Sequence, residues 1–188
     1  MARNKGAGIY FLLMMAIVAA GVLIGSVYAV GMKKEASDEV YKYLCDFFDG
    51  GMRGNTDIFV SSLADNIKIF FIIFAAGFFR LGTVFTMSAG CMEGFVSGFT
   101  TASLVKLMGL KGFLINLSSG LSAIVFMLNL IFFGACSMRF AVCGGKRERG
   151  MKKKYLFLSA AALTIFCIAS VFDGYITTIF MKMIVNKM

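Results

Sequence analysis

The feature that most limits how this chain can fold is an almost unbroken apolar stretch that runs from Ile67 to Val105. As a single helix these 39 residues would extend for roughly 58 Å, almost twice the ~30 Å thickness of a hydrocarbon core. The stretch must therefore turn back on itself. Arg80, followed by Leu81 and Gly82, is the charged interruption that stands beside a turn signal, so a tight hairpin is predicted there.

Similar apolar runs recur along the rest of the chain. Of its 188 residues 59% are hydrophobic, and the mean hydropathy is +0.84, whereas an ordinary globular domain is only ~45–50% apolar. Because hydrocarbon offers the backbone no hydrogen-bonding partner, spanning segments of this kind must be α-helices. The chain is predicted to be all-α, a single polytopic membrane domain over residues 1–188 with about five transmembrane helices. The predicted spans are residues 7–30, 63–80, 83–106, 113–138 and 155–181.

The charges predict an orientation in the membrane. The net charge is +9, and the basic residues cluster at the ends of apolar runs, which favours topology signals over binding of nucleic acid. With the N-terminus cytoplasmic, Arg3, Lys5, Arg80 and the basic loop 139–154 lie inside, while the acidic region 31–66 lies outside. The C-terminus is then extracytoplasmic, in a multi-pass protein of the cell membrane. If residues 67–105 crossed only once, the basic loop would fall outside, against the positive-inside rule.

The region between the first two spans is the one sizeable polar segment. After it leaves the membrane, the chain shows apolar residues at helical spacing, followed by a glycine-rich break at Gly50, Gly51 and Gly54. An extracytoplasmic amphipathic helix within residues 31–62 is predicted, whose apolar face could meet membrane lipids or a partner protein. The candidate partner-binding residues are Val40, Tyr41, Leu44, Phe47 and Phe48.

Two sets of glycines predict close helix contacts. Gly90, Gly94 and Gly98 stand at four-residue spacing in the third span, where Thr86 and Ala102 continue the same stripe of small residues. In the first span Gly21 and Gly25 have the same spacing. Small residues in this pattern let two membrane helices approach each other closely, so both sets are candidate helix-packing residues.

Charged residues within apolar segments are the remaining candidates. Placing a charged side chain in a membrane costs free energy, so Arg80, Glu93 and Asp173 are candidates for a structural, partner-binding or ion-handling role. Histidine is absent, and the five cysteines lack metal-binding spacing, so no catalytic residue, metal site or cofactor is predicted. One alternative is that the three charged residues line the polar path of a small transporter or channel subunit.

Three segments resemble a known family. Met92 to Thr100 (MEGFVSGFT) and Leu107 to Leu114 (LMGLKGFL) resemble the third span and following loop of the stage II sporulation protein M (SpoIIM) family. The segment Asp173 to Ile176 (DGYI) is similar to that family's acidic-small-Tyr-Ile element. The resemblance implies a non-catalytic scaffold for engulfment in endospore formation. It would hold SpoIID-like and SpoIIP-like peptidoglycan-degrading enzymes at the septal membrane, and the chain could also form a homo-oligomer.

Overall fold

The computed structural model describes residues 5–49, 55–142 and 149–177, and within these ranges the chain is helical apart from short turns. The prediction of an all-α protein is confirmed. In these described ranges, six α-helices are followed by a short π-helical segment. They are α1 (Lys5–Gly31), α2 (Lys34–Asp49), α3 (Asn55–Ala76), α4 (Gly82–Met108), α5 (Leu110–Val142), α6 (Arg149–Val171) and the π-helical segment Phe172–Thr177.

Four helices of the described part are long and apolar enough to cross a membrane. The crossing segments are Gly8–Gly31 in α1, Thr56–Ala76 in α3, Ser122–Val142 in α5 and Gly150–Tyr175 in α6. The helix α4 is as long as α1, at 27 residues, but 11 of them are glycine, serine or threonine, which lowers its hydropathy. In the described part of the chain, four helices are thus long and apolar enough to cross a membrane. The helix α4 is a fifth long helix, and its composition is more polar.

Several helix boundaries depart from the spans expected from hydropathy, most clearly at α3. The helix α3 begins at Asn55 and ends at Ala76, so it starts well before residue 63 and includes polar residues that the sequence pattern assigns to the external segment. The chain then turns through residues 77–81, and the amide of Gly82 donates a hydrogen bond of 3.0 Å to the carbonyl of Phe79. Between α4 and α5 only Gly109 is non-helical, with a φ of 59° that favours glycine.

Aromatic rings form the core where α3, α5 and α6 meet. The ring of Tyr155 stacks on that of Phe140 with centroids 4.2 Å apart, and on that of Phe74 at 5.7 Å. Its hydroxyl donates to the carbonyl of Phe74 at 3.1 Å, so the one polar atom of this ring is satisfied. The ring of Phe70 likewise stacks on Phe133 at 5.2 Å. These contacts fix the depth of the three helices relative to one another.

The helix packing collects the basic residues at one end of the bundle. Phe78 in the α3–α4 turn lies 5.6 Å from Phe140, ring to ring, and Phe140 in turn stacks on Tyr155. The α3–α4 turn, the last turns of α5 and the first turns of α6 are therefore side by side. The basic residues near this end are Arg80, Arg139, Lys152, Lys153 and Lys154. The C-terminal ends of α1 and α4 lie together at the opposite end.

Candidate functional site

The helices α1 and α4 run parallel and touch through their backbones at the glycine stripe of α4. A Cβ atom placed on Gly94 would lie less than 3.0 Å from the carbonyl oxygen of Val18, and one on Gly98 would be as close to that of Val22. Real Cβ atoms essentially never approach backbone so closely, so neither position tolerates a side chain without movement of a helix. The stripe of small residues is thus covered by α1.

The glycines of α1 meet α4 in the same way. A Cβ atom on Gly21 would collide with the carbonyl oxygen of Cys91, and one on Gly25 with that of Phe95. Because both helices supply glycines, the two backbones interlock, an arrangement typical of tight helix pairs in membranes. The hydroxyl of Ser26 adds a weak hydrogen bond of 3.3 Å to the carbonyl of Gly98.

The third glycine of the stripe accommodates a side chain from α1. The terminal methyl of Met14 lies against Gly90 of α4 and against Gly134 of α5, so any Cβ atom at either position would clash with it. Met14 itself is fully buried. Methionine is flexible enough to fill such a gap, and here it joins three helices.

At the far end of this helix pair, Lys106 of α4 closes the C-terminus of α1. Its ammonium donates hydrogen bonds to the carbonyl oxygens of Ala29 at 3.1 Å, Val30 at 2.9 Å and Met32 at 3.4 Å. The last carbonyls of a helix have no partner within the helix, and they carry the negative end of its dipole. A lysine supplied by another helix satisfies both requirements, and no motif in the sequence predicted this role.

Asp173 occupies a polar junction between three elements. One carboxylate oxygen accepts a hydrogen bond of 2.8 Å from the hydroxyl of Ser62 on α3, and the other contacts the hydroxyl of Ser122 on α5. The aspartate itself belongs to the π-helical segment, where the wider turn shifts the side chains relative to those of α6. Short π-helical turns occur frequently at functional sites. The junction holds α3, α5 and the end of α6 together.

The contacts on either side of Asp173 extend this junction. One turn below it, the side-chain amide of Asn66 donates to the hydroxyl of Ser170 at 2.8 Å and more weakly to the carbonyl of Phe166. Beside it, a Cβ atom on Gly174 would collide with Phe59. Sequence reasoning selected Asp173 as a charged candidate but not Ser62, Asn66 or Ser170, which are individually unremarkable in membrane helices.

The other two charged candidates lie elsewhere. Arg80 is exposed in the α3–α4 turn, whereas Asp173 bonds to Ser62, about four turns of α3 away from it. Glu93 is half-buried near the middle of α4. Lys68 forms its ion pair with Asp65, at 2.9 Å. Arg80, Glu93 and Asp173 are therefore not brought together into one site.

The amphipathic segment forms α2, which packs extensively on no other described helix. Both chain segments that flank it, the end of α1 and the start of α3, lie at the end of the bundle opposite the basic residues. Val40 is half-buried, and Tyr41 is 46% exposed. The side chains of Leu44, Phe47 and Phe48 fall outside the described part of the structure.

Comparison with known proteins gives one match. The family model of stage II sporulation protein M matches residues 11–178, from within α1 to just past the π-helical segment. No curated protein and no solved structure matches the chain. Since the match extends over most of the sequence and agrees with the resemblance carried by α4 and by Asp173 to Ile176, the chain belongs to the stage II sporulation protein M family.

Proposed function

We propose that this chain is a non-catalytic scaffold that anchors peptidoglycan-degrading enzymes at the membrane during engulfment in endospore formation. Membership of a sporulation family supports the setting. The observation that carries the proposal is that α2 packs extensively on no other described helix, whereas the other described helices pack together. An amphipathic helix that packs little on the described bundle can offer its apolar face to another molecule.

The distribution of charge supports an extracytoplasmic α2. Basic residues gather at the end of the bundle that holds the α3–α4 turn, and the positive-inside rule assigns such an end to the cytoplasm. The opposite end, which carries α2, then faces the cell wall, where peptidoglycan-degrading enzymes act. The parallel packing of α1 and α4 supports α4 as the fifth crossing, because it requires both helices to run in the same direction.

The composition of α2 favours a protein over lipid as its main partner. Its 16 residues include two lysines and five acidic residues. Membrane-surface helices that bind anionic lipid are usually rich in lysine and arginine instead. An acidic amphipathic helix is repelled by such a surface, whereas its apolar face can still dock into a groove on a protein.

Recruitment of the enzymes tests the proposal. We expect Leu44→Asp with Phe48→Asp to abolish recovery of cell-wall hydrolases with the solubilised protein and to stall membrane migration around the forespore, while insertion is unchanged. Lys42→Asp is the matched control, since it changes the net charge equally on the polar face and should retain the enzymes. The purified protein should release nothing from peptidoglycan. Normal engulfment in a deletion strain would contradict the proposal.

A further inference from the structure

The outward face of α3 carries an ion pair among apolar residues. Asp65 and Lys68 bridge each other at 2.9 Å, yet their side chains are 64% and 70% exposed. One turn further along the same face, Phe71 and Ile72 are 58% and 52% exposed. The described part of the chain therefore leaves both members of the pair open to whatever surrounds the bundle.

This pair lies close to the centre of the membrane-crossing region. Asp65 stands near the midpoint of the apolar segment Thr56–Ala76. It stands 11 residues before the end of α3, as Glu93 stands 11 residues after the start of α4, and Glu93 lies midway in sequence between Arg80 and Lys106. Lysine can extend to the headgroup layer from the end of a span, but not from its centre.

Charges at this depth are costly when they face hydrocarbon. Insertion scales assign ~2.5–3.5 kcal/mol to an Asp or Lys at the centre of a membrane helix, and such residues almost always face protein or a water-filled cavity. The bundle has no cover for Asp65 and Lys68 in its described part. Another protein surface that bears both signs of charge would remove the cost.

We propose that a second copy of this chain covers this face, with α3 of each copy packed against α3 of the other. Two copies inserted in the same orientation place their charges at the same depth. A two-fold axis along the membrane normal then brings Asp65 of one copy beside Lys68 of the other, and the reverse contact follows from the symmetry. Each copy of this face carries one negative and one positive residue, so the faces of two copies are complementary in charge. A partner helix with a single basic residue would instead repel Lys68.

Charge-reversal variants distinguish ion pairs between two copies from the ion pair within one copy. Asp65→Lys and Lys68→Asp each abolish the ion pair inside the chain and place like charges across the two-fold axis. We expect each variant alone to self-associate about tenfold more weakly than the parent chain, the scale of one or two lost interhelical polar contacts. An equal mixture of the two variants should recover the association, because opposite charges then face each other only between copies.

The measurement is energy transfer between donor- and acceptor-labelled copies in phosphatidylcholine vesicles, followed as the lipid-to-protein ratio rises. Asp57→Lys is the control, since this exposed residue lies in the first turn of α3 and should leave the association unchanged. Circular dichroism checks that each variant is folded. A parent chain that stays monomeric at every ratio, or a mixture no stronger than the single variants, would overturn the proposal.

A cysteine test does not depend on the charged variants being folded. In a chain whose natural cysteines are replaced, Ala64→Cys on the exposed face of α3 should form a disulfide between copies in native membranes. Leu23→Cys, 67% exposed on α1, should not. Equal cross-linking from both positions would count against the α3 interface. The proposal is independent of enzyme recruitment, which can succeed or fail on its own.

Discussion

Lys106 donates a hydrogen bond of 2.9 Å to the carbonyl oxygen of Val30, and so one helix supplies the C-terminal cap of another. We expect Lys106→Met to lower the free energy of unfolding by about 1–2 kcal/mol, because it removes charge-assisted hydrogen bonds and a favourable dipole contact. Lys111→Met, at an exposed position two residues beyond Gly109, should have little effect. Denaturant titration in detergent micelles measures both. Equal losses of unfolding free energy in the two variants would show that Lys106 acts through its positive charge in general and not through its hydrogen bonds to α1.

Gly94→Ala tests the interlocked backbones of α1 and α4. In an open helix this change stabilises by about 1 kcal/mol, because glycine is a poor helix former. Here the new methyl would meet the carbonyl of Val18, so we expect a lower yield of folded protein and a lower midpoint of thermal unfolding. Gly120→Ala on α5 is the control, since a Cβ atom there meets nothing within 4 Å. A gain in stability at both positions would contradict the close approach.

Asp173→Ala should destabilise the junction of α3, α5 and the π-helical segment. It leaves the hydroxyl of Ser62 without this acceptor and that of Ser122 with only the carbonyl of Ser119, and loss of an acceptor costs about 1–3 kcal/mol for a buried polar group. Asp173→Asn should cost less, because the amide keeps the shape of the side chain and can still bond both hydroxyls. Unfolding curves of the two variants give the comparison. If alanine and asparagine behave alike, the hydrogen bonds at this junction contribute little.

The crossing by α4 is tested at its two ends. Leu81 is 72% exposed at its start, and Leu110 is 76% exposed just beyond its end. In a chain without natural cysteines, we expect an impermeant maleimide to label Leu110→Cys in intact cells. Leu81→Cys should react only after the cells are opened, since five crossings place the two residues on opposite sides. Labelling of both in intact cells would reduce the number of crossings to four.

The helical content of this chain follows from its hydropathy, but the pairing of the helices does not. Both glycine sets are visible in the sequence, at Gly21 and Gly25 and at Gly90 to Gly98. Nothing in their spacing says that they face each other, because α2 and α3 separate α1 from α4 along the chain. A contact between distant segments depends on how every helix packs, and periodicity within one helix carries no information about its neighbour.

The start of α3 shows a second limit. Residues 55–62 look like part of the external segment because they include Thr56, Asp57, Ser61 and Ser62. The structure continues the helix through them, and Ser62 bonds to Asp173 across the bundle. Polar residues that are satisfied by tertiary hydrogen bonds lower the hydropathy of a segment without removing it from the bundle.

The parallel pairing of α1 with α4 also sets an order of events during synthesis. The apolar helix α1 leaves the ribosome first and can remain alone in lipid, whereas α4 is too rich in glycine, serine and threonine to partition readily by itself. When α4 emerges from the ribosome, its glycine stripe can pack against α1, which is already in the membrane. We therefore expect α1 to serve as an internal insertion partner for α4. In a chain that lacks Lys5 to Gly31, α4 is expected to remain outside the bilayer.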